Sequence, residues 1–105
     1  MTKAKPETVN ILGVTYKIDY MANSSEVDIH KRASLWGQID FWTRTIRIYD
    51  NGRSDADVWQ TLLHEILHGI CESMHIKLED DEKTTDLLAT GLADVFFRNG
   101  WIQIE

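Results

Sequence analysis

The chain has one cysteine and one proline in 105 residues. A lone cysteine, Cys71, excludes an internal disulfide framework. One proline and six glycines exclude a collagen-like or low-complexity chain. No apolar run approaches the ~20 residues that a bilayer span needs, so no membrane partner is expected. The opening residues, MTKAKPET, hold no apolar stretch and do not read as a secretory signal. Residues 1–8 read instead as a disordered tail, and the expected address is the cytoplasm. A basic excess is also missing, since 11 Lys/Arg stand against 17 Asp/Glu for a net charge of −6. Residues 1–53 carry eight basic against six acidic residues, and residues 54–105 carry three against eleven. A nucleic-acid binder shows a basic stripe or a strongly basic pI, so nucleic acid is excluded as a partner. The acidic half reads most simply as a solvated face.

What is present is ordinary globular composition, 43% hydrophobic and 27% charged. Residues 9–105 suffice for one domain with a single core. Val9 to Tyr20 (VNILGVTYKIDY) alternates on either side of Gly13, which predicts a strand or a hairpin bent near Gly13. Residues 21–34 lack periodicity and read as a loop with room for one helical turn. Residues 35–41 (LWGQIDF) predict a second strand, and 45–49 (TIRIY) a third, half-exposed one, joined as an antiparallel hairpin. Asp50-Asn51-Gly52 is a turn signal. Ser54 followed by Asp57 resembles a capping box, and Asp55 and Asp57 suit the positive end of a helix dipole. Apolar residues at 58, 59, 62, 63, 66, 67, 70, 71 and 74 then recur with a 3.6 period, predicting a helix over about 57–75. Leu87, Leu88, Leu92, Val95 and Phe96 predict a second helix over about 81–98, ended by Asn99-Gly100. Trp101 in the tail WIQIE would pack on the core or join a short strand.

Inside the first helix stands His64-Glu65-Ile66-Leu67-His68, an HExxH motif. Residues i and i+4 project from one helix face, so both imidazoles can reach one Zn²⁺ at ~2.0–2.1 Å. Glu65, one step round the helix, can hold and deprotonate a zinc-activated water. The competing reading is a pair of solvated histidines on an amphipathic helix. A catalytic zinc needs a third protein ligand and an open position. A metzincin continuation would need Gly and His where Cys71 and Met74 stand, so that arrangement is excluded. The remaining solution takes a carboxylate from the second helix. Asp86 is preferred because it lies one turn inside that helix beside Ala89. Glu82, in the charged run Glu79-Asp80-Asp81-Glu82, is the alternative. Ala89 and Ala93 share their face and would let the two helices approach closely.

Cys71 could ligate in principle, but among Ile70 and Met74 it reads as a small buried hydrophobe. His75 lies roughly 10 Å along the axis from His68 and reads as a surface residue, as does His30. Trp36, Trp42, Trp59 and Trp101 suggest packing of sheet against helix. Arg44, Arg47 and Arg53 cluster around the third predicted strand. They read as the charges of an edge strand, or as the border of a cleft that pairs with an extended substrate.

The helix DVWQTLLHEILHGI resembles the active-site helix of zincin metallopeptidases. Together with TIRIYDN before it and LLATGLADVFFRNG after it, the pattern over about residues 9–99 resembles small phage- and mobile-element-encoded zinc metallopeptidase-like proteins related to the ImmA/IrrE type. The resemblance implies His64 and His68 as zinc ligands, Glu65 as general base and a carboxylate on the second helix as third ligand, often Glu, which would make Asp86 a shorter variant. The expected fold is α+β, a small, mainly antiparallel three-stranded sheet on two main helices, a minimal gluzincin-like zincin. The expected function is hydrolysis of a peptide bond in one specific protein, such as a repressor or a phage protein. The alternative is a zinc-containing phage-encoded binding or assembly module with little or no hydrolysis.

Overall fold

A computed structural model describes residues 5–103. The chain runs β1 (Thr8–Ile11), β2 (Val14–Met21), a single 3-10 turn (Ser24–Glu26), β3 (Gly37–Asp40), β4 (Thr45–Tyr49), α1 (Asp55–Met74) and α2 (Asp81–Arg98). The fold is α+β, with a correction to the sheet. It has four strands in the order β1-β2-β4-β3, not three, and it is mixed. The β1–β2 and β3–β4 pairs are antiparallel, and the central β2–β4 pair is parallel, with Ile18 beside Ile46 and Tyr20 beside Ile48. Val9 to Tyr20 is thus the hairpin and not one strand. Leu12 and Gly13, both at positive φ, turn the chain, and the Asn10 side chain accepts a hydrogen bond from the Gly13 amide at 2.9 Å.

A second correction concerns β4. It was expected to be half-exposed at an edge, yet it lies inside the sheet, with Ile46 and Ile48 fully buried. The edge next to the helices is β3. Strand alternation explains the face each residue takes. Tyr16 and Ile18 of β2, Ile46 and Ile48 of β4 and Ile11 of β1 meet Val58 and Leu62 of α1 in one core. Arg47 falls on the opposite face, in register with Gln38 and Asp19. That face is partly covered by the 22–36 segment. There Val27 and Asp28 are buried, and Asp28 accepts hydrogen bonds from the His30 amide at 3.0 Å and the Gln38 side chain at 3.1 Å. The expected N-terminal tail is anchored from Lys5 onward. Lys5 pairs with Asp50 at 2.8 Å, the Tyr20 hydroxyl donates to the Pro6 carbonyl at 2.7 Å, and β1 begins at Thr8. Residues 1–4 of that expectation lie outside the described residues.

Helix α1 starts where its cap dictates, with the Asp57 amide donating to Ser54 Oγ at 3.2 Å. It stops because His75 turns left-handed (φ 55°) and donates its amide to the Cys71 and Glu72 carbonyls. Gly69 lets α1 approach the sheet, since a Cβ there would stand 2.8 Å from Ile11 Cδ1. Helix α2 meets α1 through Thr85, Ala89 and Ala93, all buried. Some of the apolar residues that predict this helix are turned elsewhere. Leu88 is 50% exposed and Val95 44%, while Leu92 and Phe96 reach the contact only in part. Small side chains allow the closest helix approach, and that contact outranks the larger stripe. Among the described residues no helix is long and apolar enough to cross a membrane.

Candidate metal centre

The facing surfaces of α1 and α2 hold the chemistry. Their contacts run in opposite senses along the two helices: His64 meets Asp86, and His68 meets Asp81. On α1 the i,i+4 spacing brings His64 Nε2 and His68 Nε2 to 3.1 Å. Glu82, on the first turn of α2, reaches both. Its Oε1 is 2.7 Å from His68 Nε2, and its Oε2 is 3.4 Å from His64 Nε2. His64, His68 and Glu82 are the one group among the described residues whose ligand atoms could share a metal ion.

The other candidate carboxylate, Asp86, is in the same cluster but on the far nitrogen, 3.4 Å from His64 Nδ1. Asp81 stands in the matching place, 3.7 Å from His68 Nδ1. The longer Glu82 side chain spans to the Nε2 pair, and Asp86 lies one turn further along, beside the other side of the His64 ring.

The donor set fits a metal on a specific ground. The negative charge of Asp86 at 3.4 Å from His64 Nδ1, and of Asp81 at 3.7 Å from His68 Nδ1, favours a proton on Nδ1, the arrangement usual for metal-ligating histidines. In that tautomer both Nε2 atoms are free to ligate, and they stand 3.1 Å apart with Glu82 Oε1 2.7 Å from that of His68. A proton on one of these nitrogens, or a cation between the three atoms, relieves their repulsion. Ligand bonds of ~2.0–2.1 Å in a tetrahedron place donor atoms about 3.3 Å apart, close to the separations seen.

Glu65 lies beside this group and beneath β3. It is 6% exposed, and a Cβ on Gly37 would stand 3.1 Å from its Oε2. Burial, and then the charge of Glu82, pushes its carboxyl up to about 8, against a backbone hydrogen bond from Ile39. Glu65 thus sits at the floor of a cleft of about 270 Å³ between β3, α1 and α2. Its wall includes Trp36, Gly37, Arg53, Thr61, His64, Glu82 and Asp86. A second hollow of about 220 Å³ opens on the His68 side, lined by Ile39, Phe41, Cys71, Glu72, Ile76 and Asp81. The two flank the histidines along the edge strand.

Cys71 lines that second hollow, half-buried, and does not belong to the metal group. His75 caps α1 and His30 is exposed, both away from the site. The three arginines part company. Arg44 closes the β3–β4 turn at φ 55°, Arg47 lies on the far face of the sheet, and Arg53 enters the cleft. Sequence reasoning missed Gly37, Trp36 and Asp81 as parts of the site. Asp81 alone carried a readable signal, because it precedes Glu82 on the turn that faces His68. No protein-family model, curated protein or solved structure matches the chain.

Proposed function

We propose that the protein is a zinc-dependent metallopeptidase of the zincin type, related to the ImmA/IrrE proteins, that cleaves one specific protein. The observation that supports this is the convergence of His64 Nε2, His68 Nε2 and Glu82 in one place while Glu65 stands beside them under an edge strand. His64, His68 and Glu82 would hold Zn²⁺, a His₂Glu set known in catalytic sites with an open position. Bound there, the ion would supply Lewis-acid polarisation of a scissile carbonyl and lower the pKa of water. Asp86, 3.4 Å from His64 Nδ1, would orient that imidazole, and Asp81 stands 3.7 Å from His68 Nδ1. Glu65 accepts the proton of the attacking water and passes it to the leaving amine. Its burial beneath Gly37 holds its carboxyl in place, and a cation held by the neighbouring ligands would favour the ionised form against the burial that raises its pKa. β3, as an edge strand, offers backbone groups to an extended substrate, so the cleft border is β3 and not β4. A phage-borne protein acting in the cytoplasm of its host on a repressor or phage protein goes with this reading.

The test compares wild type with Glu65→Gln, both zinc-loaded, on unstructured peptides and candidate repressors. Zinc content and folding should persist in the variant, and cleavage should fall by ~10²–10⁴-fold. Equal cleavage by both would overturn the reading. A second reading, a zinc-containing binding or assembly module, is favoured by the exposed Trp42 at the β3–β4 turn (93% exposed). It takes over if zinc binds in full and neither protein cleaves.

A further inference from the structure

We propose that Arg53, stacked on Trp36, is a carboxylate-binding subsite in the cleft wall and thereby a specificity-determining residue for an anionic group of the substrate. The word substrate rests on the hydrolytic reading above; the carboxylate site does not.

The guanidinium of Arg53 lies 4.5 Å from the centroid of the Trp36 ring. It is pinned by three acceptors. Nη1 donates to the Tyr49 carbonyl at 2.7 Å, and Nη2 donates to the Asp57 carbonyl at 3.1 Å and to Thr61 Oγ1 at 2.7 Å. All three acceptors are neutral. Among the described residues no carboxylate lies within ion-pair distance of it. Burial lowers its pKa, and the charges of Asp57, Tyr49 and Asp50 only partly oppose that. Arginine nevertheless stays charged, so a half-buried cation stands in the cleft without a direct counter-ion. Of its five N–H groups, three are used, which leaves Nε–H and one Nη1–H. Trp36 covers one face of the plane, so a ligand reaches it edge-on.

The other acidic residues of the wall do not fill the role. Glu82 and Asp86 face the imidazoles, and the Asp57 side chain is exposed. Position then sets what Arg53 can read. Thr61, its anchor, precedes Glu65 by four residues, about 6 Å along the helix. Extended chain advances ~3.3 Å per residue. The carboxylate therefore belongs one or two residues from the bond opposite Glu65. An Asp or Glu side chain would supply it, and so would the α-carboxylate of a chain terminus.

The test uses ¹⁵N-labelled protein, metal-free and zinc-loaded, and follows the Arg53 Nε–H and Trp36 indole N–H signals by NMR. The probes are acetyl-Gly-Glu-amide for the side chain, acetyl-Gly-Gly with a free carboxylate for the terminus, and acetyl-Gly-Gln-amide as the neutral control. At least one acidic probe should move both signals saturably, and the neutral one should not. The Trp36 response should weaken by about tenfold in Arg53→Gln, the loss expected for a hydrogen bond to a charged group. If that variant fails to fold, Trp36→Ala serves, since Trp36 is 66% exposed and supports no core. There the Arg53 response should weaken. Which acidic probe binds decides the source of the carboxylate. No shift with either, or equal shifts with the neutral probe, overturns the proposal. Carboxylate shifts without any peptide cleavage would leave it standing and sink the hydrolytic reading alone.

Discussion

Glu82 Oε1 stands 2.7 Å from His68 Nε2, although Glu82 lies on the exposed first turn of α2 with 76% of its side chain open to solvent. Asp86, one turn deeper, meets the opposite nitrogen of His64. Glu82→Ala should therefore weaken zinc binding more than Asp86→Ala. Loss of an orienting carboxylate typically costs ~10–100-fold in affinity, and loss of a ligand should exceed that. Competition with a chromophoric chelator measures both, and the reverse order would return the third position to Asp86. Cys71→Ala should leave the zinc stoichiometry unchanged.

Gly37 is a point of close approach between β3 and α1. A Cβ there would meet Thr61 Cγ2 at 2.6 Å and Glu65 Cγ at 3.2 Å. Neither atom is the loose end of a side chain, so the strand or the helix must shift. Gly37→Ala should destabilise by about 1–3 kcal/mol, the usual range for overpacking. Thr61→Ser removes the clashing methyl and keeps the hydroxyl that holds Arg53. Urea unfolding of the double variant should show part of the loss restored. Additive losses would place the strain elsewhere.

The helix contact makes an opposite pair of predictions for two apolar residues of α2. Ala93 is 3% exposed between the helices and Leu88 is 50% exposed. Ala93→Leu should cost about 1–3 kcal/mol by forcing the helices apart. Leu88→Gln should stay within about 0.5 kcal/mol. Thermal melts of the two variants check this, and a costly Leu88→Gln would mean that Leu88 supports the fold.

Asp28 gives a pH-dependent signature. The amide of His30 foremost, then the Gln38 side chain and Arg32, hold its carboxyl down to about 2, against the desolvation that raises it. In the unfolded chain an Asp titrates near 3.9. Its contribution is thus fully present above about pH 4 and fades as pH falls through the folded value near 2. The stability gap between wild type and Asp28→Asn should be widest at neutral pH and narrow below pH 4. Denaturant unfolding at three pH values measures it, and a gap that stays constant to pH 2 would show that the charge plays no part.

The helices and their ends were legible because their causes are local. Ser54 caps α1, the apolar period fixes its length, and the HExxH spacing alone puts His64 and His68 on one face with Glu65 beside them. The β1–β2 and β3–β4 hairpins follow from neighbouring residues and turn chemistry. What local pattern cannot encode is which distant surfaces meet. The parallel pairing of β2 with β4 joins segments separated by a loop and another strand, so it buried a strand that alternation read as half-exposed. Hydrophobic period likewise pointed α2 toward Leu88 and Val95, while close approach through Ala89 and Ala93 set its rotation. That rotation carried Glu82 to the Nε2 pair and Asp86 to the other nitrogen. The residues able to bind a metal were written in the chain. Which carboxylate completes them, and that Arg53 rather than Arg47 faces the cleft, depend on helix packing and strand order, which only the folded chain determines.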